Sequence, residues 1–219
     1  MANVSDKARS QALAALVVAF IAPVIVVLSA FATRLGMLPV DTAVDIFTMS
    51  IARIVAFAAP AVAVVALIMT RRHWQRSAKY GLAALVVSGV TLGLFEFQTR
   101  QMAVMTPLDV STDRSQPPVL RLQTGLPETC VGLAPVETQL LPEAATWALQ
   151  EQGFTITRAG LFEVAGSRQG FWFGRRYDAV VRIRPGRTDL RVAAGGRRAD
   201  GGAVCRQALA LAASLQPVA

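Results

Sequence analysis

Cys130 and Cys205 are the only two cysteines in this chain of 219 residues. In an oxidising compartment an isolated pair reads as a disulfide. Such a bridge ties a proline-rich stretch to the last apolar segment and closes a long loop, a constraint worth up to about 4 kcal/mol. Two buried free thiols are the alternative. Charged residues gather in the same part of the chain: Arg191, Arg198 and Asp200, with Asp178 upstream. Two arginines can grip a carboxylate or phosphate bidentately, and Gly195-Gly196 lets backbone approach it. An Arg–Asp network that fixes a turn accounts for the same residues, with Asp200 capping the helix that follows. Asp109 and Asp113 are a pair of carboxylates, but the prolines around them favour turn and capping roles over acid–base work.

Other chemistry is excluded by what is missing. The lone histidine, His73, lies in a basic loop, so the carboxyl-terminal half has no histidine for a metal site or a Ser-His-Asp triad. No GxxxxGK[ST], GxGxxG, CxxC or HExxH motif occurs, and no cofactor, metal or catalytic residue is predicted. The pI near 10.9 and net charge of +8 raise the question of nucleic acid. After position 100, however, thirteen arginines face ten carboxylates, too small a surplus for a backbone-binding surface.

The basic residues have another use. The chain is 53% apolar and 16% charged, with mean hydropathy +0.46, far from the quarter of charged residues in an average domain. Three apolar runs, at about 11–33, 46–70 and 80–97, match a hydrocarbon core of about 30 Å at about 1.5 Å per residue. Pro23 and Pro60 lie inside the first two, as membrane helices tolerate. Lys7, Arg9 and Ala30-Phe31-Ala32 resemble a cleavable signal peptide, but the first run is too long for one and is read as retained. Arg53, one to two turns into the second run, is either part of an ion pathway or an interfacial anchor that pairs with Asp41 or Asp45. Gly81, Gly89 and Gly93 place small residues on the third where another helix can approach closely, the last two as a GxxxG pair, fitting a compact bundle or a surface for a membrane partner. Arg71, Arg72, Arg76 and Lys79 crowd the loop before that run and mark it cytoplasmic. The amino terminus is then cytoplasmic, and everything after Arg100 lies outside the cell membrane.

That divides the chain into a membrane region, 1–101, and an exported domain, 102–219. Pro107 to Pro142 is a proline-punctuated lead-in. Pro142-Glu143 opens a helix that Gly153 closes. Strands follow over 154–157, 161–165, 177–184 and 188–193; Val181 and Ile183 point one way, Arg182 and Arg184 the other. Pro185-Gly186 turns the chain, and 203–215 has the spacing of a helix packed on the sheet. The fold class is α+β: three transmembrane helices, then a small domain of antiparallel strands with two helices.

Leu108-Asp109-Val110-Ser111-Thr112-Asp113 followed by Gln116-Pro117-Pro118, then Phe171-Trp172-Phe173-Gly174 and Asp178 to Pro185, resembles the DUF1499 family, small domains of unassigned biochemical function in bacteria and plastids. The likeness spans about 107–215. Arg191, Arg198, Asp200 and Gly202 fall in register with that family's closing motif, while Tyr177, Val192, Ala194, Gly195 and Val204 depart from its polar positions. If those positions form a site in relatives, this chain keeps part of it.

The expectation is a non-catalytic, multi-pass protein of a bacterial inner membrane with a periplasmic domain. Its partners are membrane lipids and other membrane subunits, not nucleic acid, and Phe171-Trp172-Phe173 is either a packing surface or core. The rival is a tethered domain that binds or processes an anionic lipid or small molecule through the arginine cluster.

Overall fold

The computed structural model describes residues 4–70, 74–103, 106–121 and 126–216, which divide into two compact units, Met1–Arg100 and Gln101–Ala219. Arg71, Arg72 and His73 of the basic loop lie outside the described residues.

The first unit holds α1 (Val4–Arg34), then a single turn α2 (Val40–Thr42) that runs through ten π-helical residues, Ala43–Ala52, into α3 (Arg53–Thr70), and finally α4 (Trp74–Ala103). Within these, Arg9–Arg34, Val40–Thr70 and Ala78–Met102 are long and apolar enough to cross a membrane. The second and third extend past the apolar runs read from the sequence, because backbone hydrogen bonding continues into polar residues that the hydrocarbon does not require. Alanines explain the packing. Ala12, Ala15, Ala19 and Ala22 on α1, and Ala56, Ala59, Ala63 and Ala66 on α3, are buried at helical spacing. Their small side chains let α1 and α3 approach closely without a hydrophobic drive that lipid would cancel. The wide π turns bring hydroxyls onto carbonyls five residues back: Thr48 Oγ1 donates to Ala43 O at 3.0 Å and Ser50 Oγ to Asp45 O at 2.8 Å. Ser29 Oγ on α1 lies 3.5 Å from Thr48 Oγ1.

One expectation about these helices changes. Arg53 pairs with Glu96 of α4, Nη2 to Oε1 at 3.7 Å, and its guanidinium sits 5.7 Å from the centre of the Phe57 ring. The partner expected from the sequence is Asp41 or Asp45 on the preceding loop. The turn α2 and the π-helical run extend the second helix back to include both acids. Of the three glycines on the last apolar run, Gly81 meets another helix, where an added Cβ would run into the Leu67 side chain, while at Gly89 and Gly93 a Cβ would meet open space.

The second unit is a five-stranded antiparallel sheet in the order β1-β5-β4-β3-β2, formed by β1 (Asp109–Ser111), β2 (Thr155–Ala159), β3 (Glu163–Gln169), β4 (Arg176–Arg184) and β5 (Arg187–Ala194). Helices α5 (Pro142–Glu151) and α6 (Ala203–Leu215) pack on it, giving the α+β class expected from the sequence. Proline at the first helical position and Glu143 in the first turn start α5, and Gly153 leaves it with φ of +78°. The alternation along β4 sorts its side chains: Val181 and Ile183 join Val164, Leu190, Val192, Leu149 and Leu211 in the core under the helices. The Pro185-Gly186 turn, with Gly186 at φ +71°, sets Arg184 opposite Arg187, Arg182 opposite Asp189 and Val180 opposite Arg191. Both helices and four strands were legible in the sequence. Strand β1 was not; it lies inside the proline-rich lead-in, where three residues pair with Arg191–Ala193.

Cys130 and Cys205 are bonded, their Cα atoms 5.8 Å apart and 75 residues apart in sequence. The bridge fastens the lead-in to the first turn of α6.

Candidate functional site

The helix-free face of the sheet carries a cluster of buried charge. Because side chains alternate, Asp109 and Ser111 of β1, Asp189 and Arg191 of β5, and Asp178 and Arg182 of β4 share that face. Chain 112–120 runs beside it: Leu120 packs on Val180 and Ala193 in a small second cluster, and the Pro118 carbonyl accepts from Arg191.

Arg191 is 4% exposed. Its Nε donates to Asp109 Oδ1 at 2.8 Å, Nη2 to Asp109 Oδ2 at 2.6 Å and Nη1 to Pro118 O at 2.9 Å. A planar guanidinium and a carboxylate meeting fork to fork leave this arginine holding β1 and the lead-in against β5. Next to it, Asp113 and the fully buried Asp189 bind three arginines. Arg182 Nη2 reaches Asp113 Oδ2 at 3.0 Å and Asp189 Oδ2 at 3.4 Å; Arg184 Nη2 donates to Asp113 Oδ2 at 2.9 Å and contacts Asp189; Arg187 Nε donates to Asp189 Oδ1 at 2.8 Å. Asp113 Oδ1 also accepts the Ser115 hydroxyl at 2.7 Å and the main-chain N–H groups of Ser115 and Gln116. These bonds, led by the Ser115 hydroxyl and the Gln116 N–H and aided by Arg184, hold the Asp113 carboxyl well below the usual carboxylate range despite its burial. Burial opposes the charge of Arg184, but Asp189 and Asp113 outweigh it and push its pKa above the ordinary guanidinium value.

The four residues singled out from the sequence fall in two places. Asp178 is buried on the charged face, one oxygen accepting from Arg176 Nε at 2.9 Å, and Arg191 lies on the neighbouring strand. Arg198 and Asp200 lie in the turn between β5 and α6. Asp200 Oδ1 accepts the N–H of Gly202 at 2.9 Å and of Ala203 at 3.1 Å, and Oδ2 that of Val204 at 2.8 Å, which caps α6. The Arg198 main-chain carbonyl accepts from Arg175 Nη1 at 2.8 Å. Beside this turn the Tyr177 phenol is pushed above its ordinary pKa by burial and then by the negative charge of Asp200.

Asp189 was missed by sequence reasoning, as was the pairing of Arg191 with Asp109. The first was legible: folding 176–194 about Pro185-Gly186 puts Asp189 across from Arg182. The second needed β1, which carries no strand pattern of its own. Among the described residues no cluster of three His, Cys, Asp or Glu side chains is placed to hold a metal ion.

No known protein family, curated protein or solved structure matches this chain.

Proposed function

We propose that the protein is a non-catalytic accessory or assembly subunit of a membrane complex in a bacterial inner membrane. In this reading its amino terminus is cytoplasmic and the domain after Arg100 periplasmic, as the basic loop and the cysteine pair support. The observation that carries the reading is the outer face of α4. Val86, Gly89, Val90, Gly93, Leu94 and Phe97 lie exposed along one stripe, with the Arg53–Glu96 ion pair at its end, 38% and 45% exposed. Lipid has no need of a GxxxG surface, and a half-exposed ion pair within a span is costly against hydrocarbon. A partner span laid on the stripe meets both. The charged sheet face supports the non-catalytic half of the reading, because Arg191, Asp109, Asp113 and Asp189 are committed to holding strands together.

Within the same reading the domain is a divergent relative of DUF1499. Its support is the sequence likeness of Asp109 to Asp113 and of Asp178 to Pro185 to that family's motifs.

Native electrophoresis of solubilised membranes tests the subunit role. The intact chain is expected to migrate within a larger complex, and G89L/G93L to release it while still inserting and forming the Cys130–Cys205 bridge. A wild-type chain that migrates alone, or a complex indifferent to both substitutions and to deletion of the gene, contradicts it.

A further inference from the structure

The turn between β3 and β4 carries Phe171 and Trp172, 79% and 62% exposed, their ring centroids 5.5 Å apart at an interplanar angle of 82°. The turn is built to present them. Gly170 N–H donates to Arg175 O at 2.7 Å, and Gly174 takes φ of +63°, which closes a tight loop with both rings at its tip. Large exposed aromatics need a reason, because burying either would remove a wide apolar surface from water.

Their surroundings are cationic. Arg175 and Arg176 follow the rings, and the Gly195 N–H bonds Arg176 O at 2.8 Å, bringing the loop with Arg197 and Arg198 alongside; Arg175 Nη1 binds the Arg198 carbonyl. Four arginines thus share this end of the sheet with two acids, Asp178, which takes a bond from Arg176, and Asp200, which caps α6.

The same sheet end receives the chain from the last span. Ala194 N–H donates to Leu108 O at 2.8 Å, and Thr106 bonds Asp200 and Gly202. Thr106 lies three residues beyond Ala103, where α4 ends, a reach of at most about 10 Å. A short covalent link to the last apolar helix raises the effective concentration of any surface that the helix is embedded in, so that even weak surface binding is populated.

We propose that this end of the domain docks on an anionic lipid surface, Phe171 and Trp172 entering the interfacial zone while Arg175, Arg176, Arg197 and Arg198 sit over lipid phosphates. Aromatic rings favour that zone, and each arginine adds attraction that salt screens. The occupant is lipid, because a basic, aromatic patch tethered at the bilayer meets headgroups before any diffusing partner.

The test uses the full chain carrying W74F/W147F, which leaves Trp172 as the sole tryptophan of the original three. It is reconstituted into vesicles of phosphatidylcholine, with or without phosphatidylglycerol, each containing brominated phosphatidylcholine; bridge formation on non-reducing gels confirms folding. Trp172 emission is expected to shift to the blue and to be quenched by the brominated lipid when phosphatidylglycerol is present. R197Q is expected to reduce the quenching, as is salt at about 1 M, where the Debye length is about 3 Å. Emission that is the same in both lipids and open to aqueous iodide overturns the proposal. So does a Trp172 shielded from iodide yet untouched by brominated lipid, which would mean that protein covers it.

Discussion

Removing the Asp109 carboxylate is the sharpest perturbation of the second unit. In the fold Asp109 and Arg191 have side chains 6% and 5% exposed, and the guanidinium makes two bonds to the carboxylate and one to the Pro118 carbonyl. D109A therefore leaves a buried cation with a single neutral acceptor among these three. Breaking one side of such a pair costs about 3–5 kcal/mol, because the remaining charge is uncompensated. For a domain of this size, at about 4 °C per kcal/mol, its melting temperature falls by roughly 12–20 °C. D109L/R191M removes both charges and leaves chiefly the Pro118 carbonyl without its donor, a cost of about 1–3 kcal/mol. The double variant is thus expected to be more stable than D109A. Thermal unfolding of the detergent-solubilised full chain, followed by near-UV circular dichroism of the carboxyl-terminal unit, reads both. A D109A shift below about 1 kcal/mol, or a double variant that loses the sum of the two single losses, refutes the claim that this pair acts as one buried unit.

Reducing the Cys130–Cys205 bridge, or C130S/C205S, is expected to cost about 4.5 kcal/mol in the chain-entropy description for a 75-residue loop, read as a lower urea midpoint for the second unit. Because the Asp113 carboxyl titrates below its ordinary value near 3.8, the unfolded chain binds more protons than the fold in acid; stability is expected to fall from about pH 5 downward, and to fall less steeply in D113N. E96Q removes the charge opposite Arg53, and if the proposed subunit role holds, the variant chain is expected to migrate less in the larger complex on native gels, with insertion unchanged.

The parts of the fold that were legible in the sequence are those governed by periodicity. Apolar runs marked the three spans, Arg182 and Arg184 alternating with Val181 and Ile183 marked β4, and Pro142-Glu143 and Pro185-Gly186 marked where a helix starts and a hairpin turns. Features that depend on contact between distant segments were not. A three-residue strand such as β1 has too little length for a pattern and is held by its pairing with Arg191–Ala193. Glu96 looks like the polar end of an apolar run until α3 brings Arg53 beside it. The π-helical run Ala43–Ala52 has no periodicity that sets it apart from an α-helix over so few turns, and the hydroxyl bonds of Thr48 and Ser50 to carbonyls five residues back follow from it. For the candidate site, the sequence grouped Arg191 with Arg198 and Asp200, whereas the register delivers Arg191 to Asp109 and leaves Asp200 to cap α6.

The claim on which the account turns is that the domain after Arg100 and the basic loop before α4 lie on opposite sides of the membrane. Alkaline phosphatase and green fluorescent protein, each fused in turn to the carboxyl end and expressed in bacteria, measure this directly. The account predicts active phosphatase and dark fluorescent protein; a fluorescent fusion with inactive phosphatase would contradict it.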